Sequence, residues 1–190
     1  MEMHRPEQDI EDANIALQLL KEGNERFVKD ELCDKHCYKA DREVLNSGQH
    51  PFAVVICCSD SRVTPEIFFD QRLGDLFIIR NAGNIVDTTT LGSLEYAIEH
   101  LGSPLIVVCG HSKCGAVTAA YSGGKLPPHI QSIADRIKPA VADGGELDEV
   151  IHHNVEHMVA HVKNDEAVQR LGTTVVGAYY DVHTGVVSWM

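Results

Sequence analysis

Phe52-Ala53-Val54-Val55-Ile56-Cys57, followed at once by Cys58-Ser59-Asp60-Ser61-Arg62, decides the fold. An unbroken apolar run rich in β-branched residues suits a strand covered on both faces. Three more runs repeat it: Leu76-Phe77-Ile78-Ile79, Leu105-Ile106-Val107-Val108-Cys109 and Thr174-Val175-Val176-Gly177-Ala178-Tyr179. Helical patterns separate them. The alternation predicts the α/β class, a mostly parallel central sheet of four strands flanked by helices. Past Tyr179, Asp181-Val182-His183-Thr184-Gly185 reads as a turn that folds Val186-Val187-Ser188-Trp189 back as an antiparallel edge strand.

Working outward, residues 12–29 predict an extended N-terminal amphipathic helix with Ile15, Leu19, Leu20 and Phe27 as its apolar stripe. Residues 31–49 are polar and link this helix to the first strand. Further helices are predicted over 90–101, 112–121, 130–142 and 147–170, with Pro127-Pro128 and Gly144-Gly145 as punctuation. We expect a single domain over 1–190, with a helical arm (1–50) and an α/β core (51–190).

The formal net charge of −12 argues against nucleic acid, which is gripped by clustered Lys and Arg. No apolar run reaches the length of a membrane span. Met1-Glu2-Met3-His4-Arg5-Pro6-Glu7 lacks the layout of a secretory signal. The six cysteines are therefore read as reduced and the setting as cytoplasmic. Cys33-Asp34-Lys35-His36-Cys37 has no matching second half and is read as free surface thiols, against a metal clip or disulfide. His152, His153, His157 and His161 are read as a polar or subunit-facing helix surface, against a metal site.

Cys58 follows the first strand, and His111 and Cys114 of Gly110-His111-Ser112-Lys113-Cys114-Gly115 follow the third. Ligands of open α/β sheets gather beyond the carboxyl ends of strands, so the two segments should converge. Two thiolates and one imidazole make three zinc ligands, and a set of three leaves a corner for water, the mark of a catalytic site. Asp60 and Arg62 stand two and four residues past the first thiolate, where a group orienting the site belongs.

These stretches, with Arg80-Asn81-Ala82-Gly83-Asn84 and Leu20-Lys21-Glu22-Gly23-Asn24-Glu25-Arg26-Phe27-Val28, resemble the β-class carbonic anhydrases, zinc enzymes that interconvert carbon dioxide and bicarbonate. The resemblance runs from about Ile15 to Gly185. It implies one zinc ion per subunit on Cys58, His111 and Cys114, and a hydrogen-bonded Asp60–Arg62 dyad that orients a zinc-bound hydroxide. Strand alternation lets only one of Cys57 and Cys58 face the site, and the spacing to Asp60 and Arg62 selects Cys58. Two thiolates neutralise the ion, so hydroxide should form most readily at neutral to alkaline pH. If the dyad breaks, Asp60 itself can take the fourth position.

The substrate is small and uncharged, so we expect Val63 and Ile85 as apolar walls, an aromatic such as Phe69 from a partner subunit, and main-chain N–H groups near Gly83 and Gly115 on the product oxygens. Val55 stands where part of the family carries a Trp of an inhibitory bicarbonate pocket. The open arrangement without strong bicarbonate inhibition is therefore expected, although Arg80 is present. The resemblance also implies a homodimer or dimer of dimers, with the first helix reaching across the neighbour. Two alternatives use the same residues: a carbonyl sulfide or carbon disulfide hydrolase, and a non-enzymatic zinc or redox-sensing thiol protein.

Overall fold

A computed structural model describes residues 10–33 and 38–190. The reading of Met1 to Glu7 and the His36-Cys37 half of the thiol cluster lie outside the described residues. Five strands form one sheet in the order β2-β1-β3-β4-β5: β1 Ala53–Cys58, β2 Leu76–Asn81, β3 Leu105–His111, β4 Thr174–Tyr180 and β5 Val187–Trp189. All neighbours are parallel except β4 and β5. This is the expected α/β architecture. Every residue of β1 and β3 is buried. The chain leaves β1 toward β2 on one side and returns to β3 on the other. The switch point of the topology therefore lies between the carboxyl ends of β1 and β3.

The helices are α1 Ala13–Val28, α2 Tyr38–Leu45, α3 Pro65–Phe68, α4 Thr88–Glu99, α5 Gly115–Ser122, α6 Pro128–Ala142, α7 Leu147–Lys163 and α8 Glu166–Leu171. The single helix expected over 147–170 is two. Asp165 accepts hydrogen bonds from the Ala167 and Val168 N–H groups and caps a fresh helix. The turn of helix α3 is too short to show a period. Helix α5 starts three residues later than expected, because His111 still belongs to β3 and Lys113 takes a left-handed turn (φ 57°).

Two cores flank the sheet. Val54, Ile56, Cys58, Ile106 and Val108 face α4 to α8. Ala53, Val55, Cys57, Val107 and Cys109 face α1 and α3. The face that α1 buries is the expected one in part: Leu20 is buried and Leu19 and Phe27 pack against the core, but Ile15 is 55% exposed, and Ala16, Gly23 and Asn24 are buried in its stead. Gly23 is there because α1 lies against backbone; a Cβ on it would sit 1.7 Å from the Phe69 carbonyl oxygen. Asn24 donates through Nδ2 to the carbonyls of Phe68 (3.0 Å) and Gly185 (2.8 Å) and accepts from the Val187 N–H (2.9 Å). These contacts dock α1 on its own chain. No helix among the described residues is long and apolar enough to cross a membrane.

Candidate metal centre

The strand ends bring Cys58, His111 and Cys114 together, with their ligand atoms all within 4.8 Å of one another. All three are buried. Nδ1 of His111 lies 2.9 Å from the Ser112 carbonyl oxygen, which can only accept, so Nδ1 carries the ring proton. Nε2 is left with its lone pair, buried and without a hydrogen-bond partner. A buried lone pair facing two sulfurs suits a cation. Two sulfurs and one imidazole nitrogen are the donors zinc prefers, so the residues fit that ion.

The sulfurs differ. The Cys58 thiol is drawn down to about 4, first by a hydrogen bond from Cys114, then by the Gly83 and Asp60 N–H groups, against the opposing effect of burial. The Gly83 N–H donates to its Sγ at 3.3 Å. The Cys114 thiol is pushed up, because its proton is engaged by Cys58 and because it is buried; the Val117 and Ala116 N–H groups at the start of α5 pull the other way. Between them the two sulfurs hold one proton, which a dication bound to both would release.

Beside the triad, Asp60 and Arg62 form a bidentate ion pair, Nε to Oδ1 at 2.9 Å and Nη2 to Oδ2 at 2.7 Å. The Arg62 N–H adds a third bond to Oδ1 (3.0 Å). The Arg62 guanidinium holds the Asp60 carboxyl well below the usual carboxylate range. Asp60 is not among the ligand atoms gathered within 4.8 Å. Arg80 clamps the same loop, donating to the carbonyls of Cys58 (3.1 Å) and Asp60 (2.7 Å).

Other expected residues fall elsewhere. The Val63 side chain is fully buried in the α1-side core, and its N–H closes the turn onto the Asp60 carbonyl at 3.0 Å. Phe69 is equally buried, stacked on Trp189 of its own chain. Ile85 lies in the metal-side core. Gly83 directs its N–H to sulfur, whereas Gly115 is exposed at the start of α5. Val55 is buried on the face away from the triad. The helix α7 histidines are not gathered: His152 stacks on Tyr179 and His157 meets Asp143 at 2.6 Å. Cys33 is half-buried, and its N–H donates to Asp70 Oδ2 at 3.2 Å. Sequence reasoning missed Asn154, which donates to the Gly83 carbonyl at 3.0 Å. Its only signal is a polar residue on the buried stripe of α7.

A family model described as carbonic anhydrase matches residues 53–187, from the first residue of β1 into β5 with both ligand segments inside. The chain belongs to the β-class carbonic anhydrase family. Carbonic anhydrase 2 of Mycobacterium tuberculosis is 39% identical over 184 residues, spanning 90% of this chain and 89% of that protein. The carbonic anhydrase of Mycolicibacterium smegmatis is 41% identical over 157 residues, 78% and 76% of the two chains. A tetrameric β-carbonic anhydrase of Sordaria macrospora superposes with a TM-score of 0.74 at 26% identity, covering 94% of this chain and 98% of its own. The enzyme is thus a carbonic anhydrase, a carbonate dehydratase, with a zinc-fitting Cys-His-Cys cluster where the sheet switches direction.

Proposed function

We propose that this enzyme hydrates carbon dioxide reversibly to bicarbonate and a proton at one zinc ion per subunit, with the Asp60–Arg62 dyad orienting the attack. The observation that carries this reading is a buried set of open ligand atoms beside a carboxylate locked by a guanidinium fork. Cys58, His111 and Cys114 would hold the ion, which supplies the Lewis acidity that makes water nucleophilic.

The remaining work falls to the chain. Ionised Asp60 can only accept, so a neighbouring O–H must donate to it, and that oxygen's lone pair is turned toward substrate. Arg62 fixes the carboxylate plane, as a lysine could not, and holds it back from the ligand atoms. Arg80 keeps the Cys58–Asp60 loop in register by its two carbonyl contacts. Gly115 is the proposed point of approach for a product oxygen, since a Cβ there would meet nothing within 4 Å. Ile85 supplies apolar surface on the same side, Val63 supports the dyad's turn from beneath, and Gly83 acts through the sulfur it contacts.

The proposal extends to context. The chain is taken as a single domain, and a homodimer or dimer of dimers is in keeping with the tetrameric Sordaria relative. A cytoplasmic setting would keep both ligand sulfurs reduced. The test is stopped-flow hydration alongside zinc analysis. Wild type should hold one zinc per chain and release protons rapidly on mixing with carbon dioxide. Asp60→Ala should keep its zinc and lose about 10²-fold or more in rate. A zinc-loaded wild type that releases no protons sinks the reading.

A further inference from the structure

Asn154 sits on the buried face of α7 among Val150, Ile151, Val155 and Met158, and is 1% exposed. Its Nδ2 donates to the Gly83 carbonyl, while its Oδ1 is buried without a hydrogen-bond partner among the described residues. A half-satisfied carboxamide is a poor core residue, because the orphaned oxygen has lost water and gained nothing; leucine of similar size would carry no such cost. The contact with Gly83, not core packing, accounts for the amide.

Gly83 is an unusual partner. Its φ is 76°, and a Cβ would lie 2.9 Å from Ile137 Cδ1 and 3.0 Å from Ala116 Cβ. Its N–H points at the Cys58 sulfur. The peptides on either side of Gly83 are therefore pinned, one to the ligand sulfur and the other to Asn154. One turn along α7, Met158 Sδ accepts from the Val86 N–H at 3.1 Å. Helix α7 thus grips the segment after β2 at two points.

We propose that Asn154 is a positioning residue for the metal centre: by fixing Gly83 it keeps an N–H on the Cys58 sulfur and so limits the charge that sulfur gives the metal. This rests on the reading that zinc is held by Cys58. An N–H directed at a thiolate draws electron density from it, and groups behind a ligand tune the metal in this way. Loosening Gly83 weakens that bond and leaves a more strongly donating, less well oriented sulfur.

The test uses the whole protein loaded with cobalt(II), whose sulfur-to-metal charge-transfer band reports the thiolate directly. Asn154→Leu should still take up one cobalt per chain, with the band moved to longer wavelength than in wild type. Its zinc affinity, measured by chelator competition, should fall about tenfold. Asn154→Ala carries the same expectation if the leucine variant does not accumulate. Met158→Leu, on the same face, should lower the melting temperature and leave the band in place. The inference is overturned if the Asn154 variants lose only thermal stability, or if Met158→Leu shifts the band equally. A wild type that binds neither metal overturns the zinc reading itself, and this inference with it.

Discussion

Cys57 and Cys58 are consecutive, buried and of one chemical kind, yet they sit in opposite electrostatic worlds. Burial pushes the Cys57 thiol up to about 12, with Arg80 opposing only in part. Its cross-strand neighbour Cys109 is raised well above the ordinary range for the same reason. Cys58 is drawn down to about 4. Burial does not separate them, because both have lost water. Donors do. The Cys57 face offers aliphatic and aromatic side chains under α1, whereas the Cys58 face offers the Cys114 thiol and two main-chain N–H groups. A buried thiol stays inert until donors converge on it, and the pleat of one strand decides which cysteine meets them.

The sharpest way to break the contrast is Cys58→Ser. It should bring zinc per chain close to zero and hydration to background, since a hydroxyl cannot replace a thiolate in this donor set. Next in size is Arg62→Gln, which removes the dyad's fork. Zinc should stay while the hydration rate falls about a hundredfold, because the carboxylate is no longer aimed. The same variant tests the sign of the pH effect. A carboxyl whose folded value is depressed contributes stability that is present above its unfolded value, and that contribution is lost as pH falls through the folded one. Asp60 should therefore stay ionised in wild type at every pH above about 4, and in Arg62→Gln should titrate near about 4. Carbon-13 NMR of the labelled carboxyl checks both. Titration of wild-type Asp60 between about pH 5 and 7 would undo the proposed role of Arg62.

The sequence made the strands legible because continuous apolar runs have few other uses, and the ligands legible because cysteine and histidine at two strand ends are rare. Sheet order was not legible, since pairing joins residues far apart and leaves no local mark. The break between α7 and α8 escaped because the helical period runs on through Asn164 and Asp165, and an aspartate serves equally as helix surface or as cap. Helix α1 misled in part, at Ile15. Hydropathy favours Ile15 over Gly23 and Asn24, but the surface α1 meets is the Phe69 carbonyl and the Val187 N–H. Smallness and hydrogen bonding decide such a contact. Asn154 was hidden likewise, its partner being a main-chain carbonyl.

Gly23→Ala tests whether the Cys57 face is purely structural. The methyl group would meet backbone that cannot step aside, so α1 must lift from Phe69. Urea unfolding should show a loss of about 3 kcal/mol. Zinc content should be unchanged, because the triad lies across the sheet.

Cys57→Ala is the smallest effect and the most discriminating. Removing one sulfur from a packed face should cost about 1 kcal/mol and leave zinc content and hydration rate as in wild type. Alkylation gives the chemical counterpart. The thiolate is the nucleophile, so in chelator-treated protein near neutral pH iodoacetamide should mark Cys58 while Cys57 and Cys109 stay unmodified until the chain unfolds. Peptide mapping reads the sites directly. Equal labelling of Cys57 and Cys58 in the folded protein would mean that convergent donors do not set thiol chemistry here, and the contrast between the two faces of β1 would lose its cause.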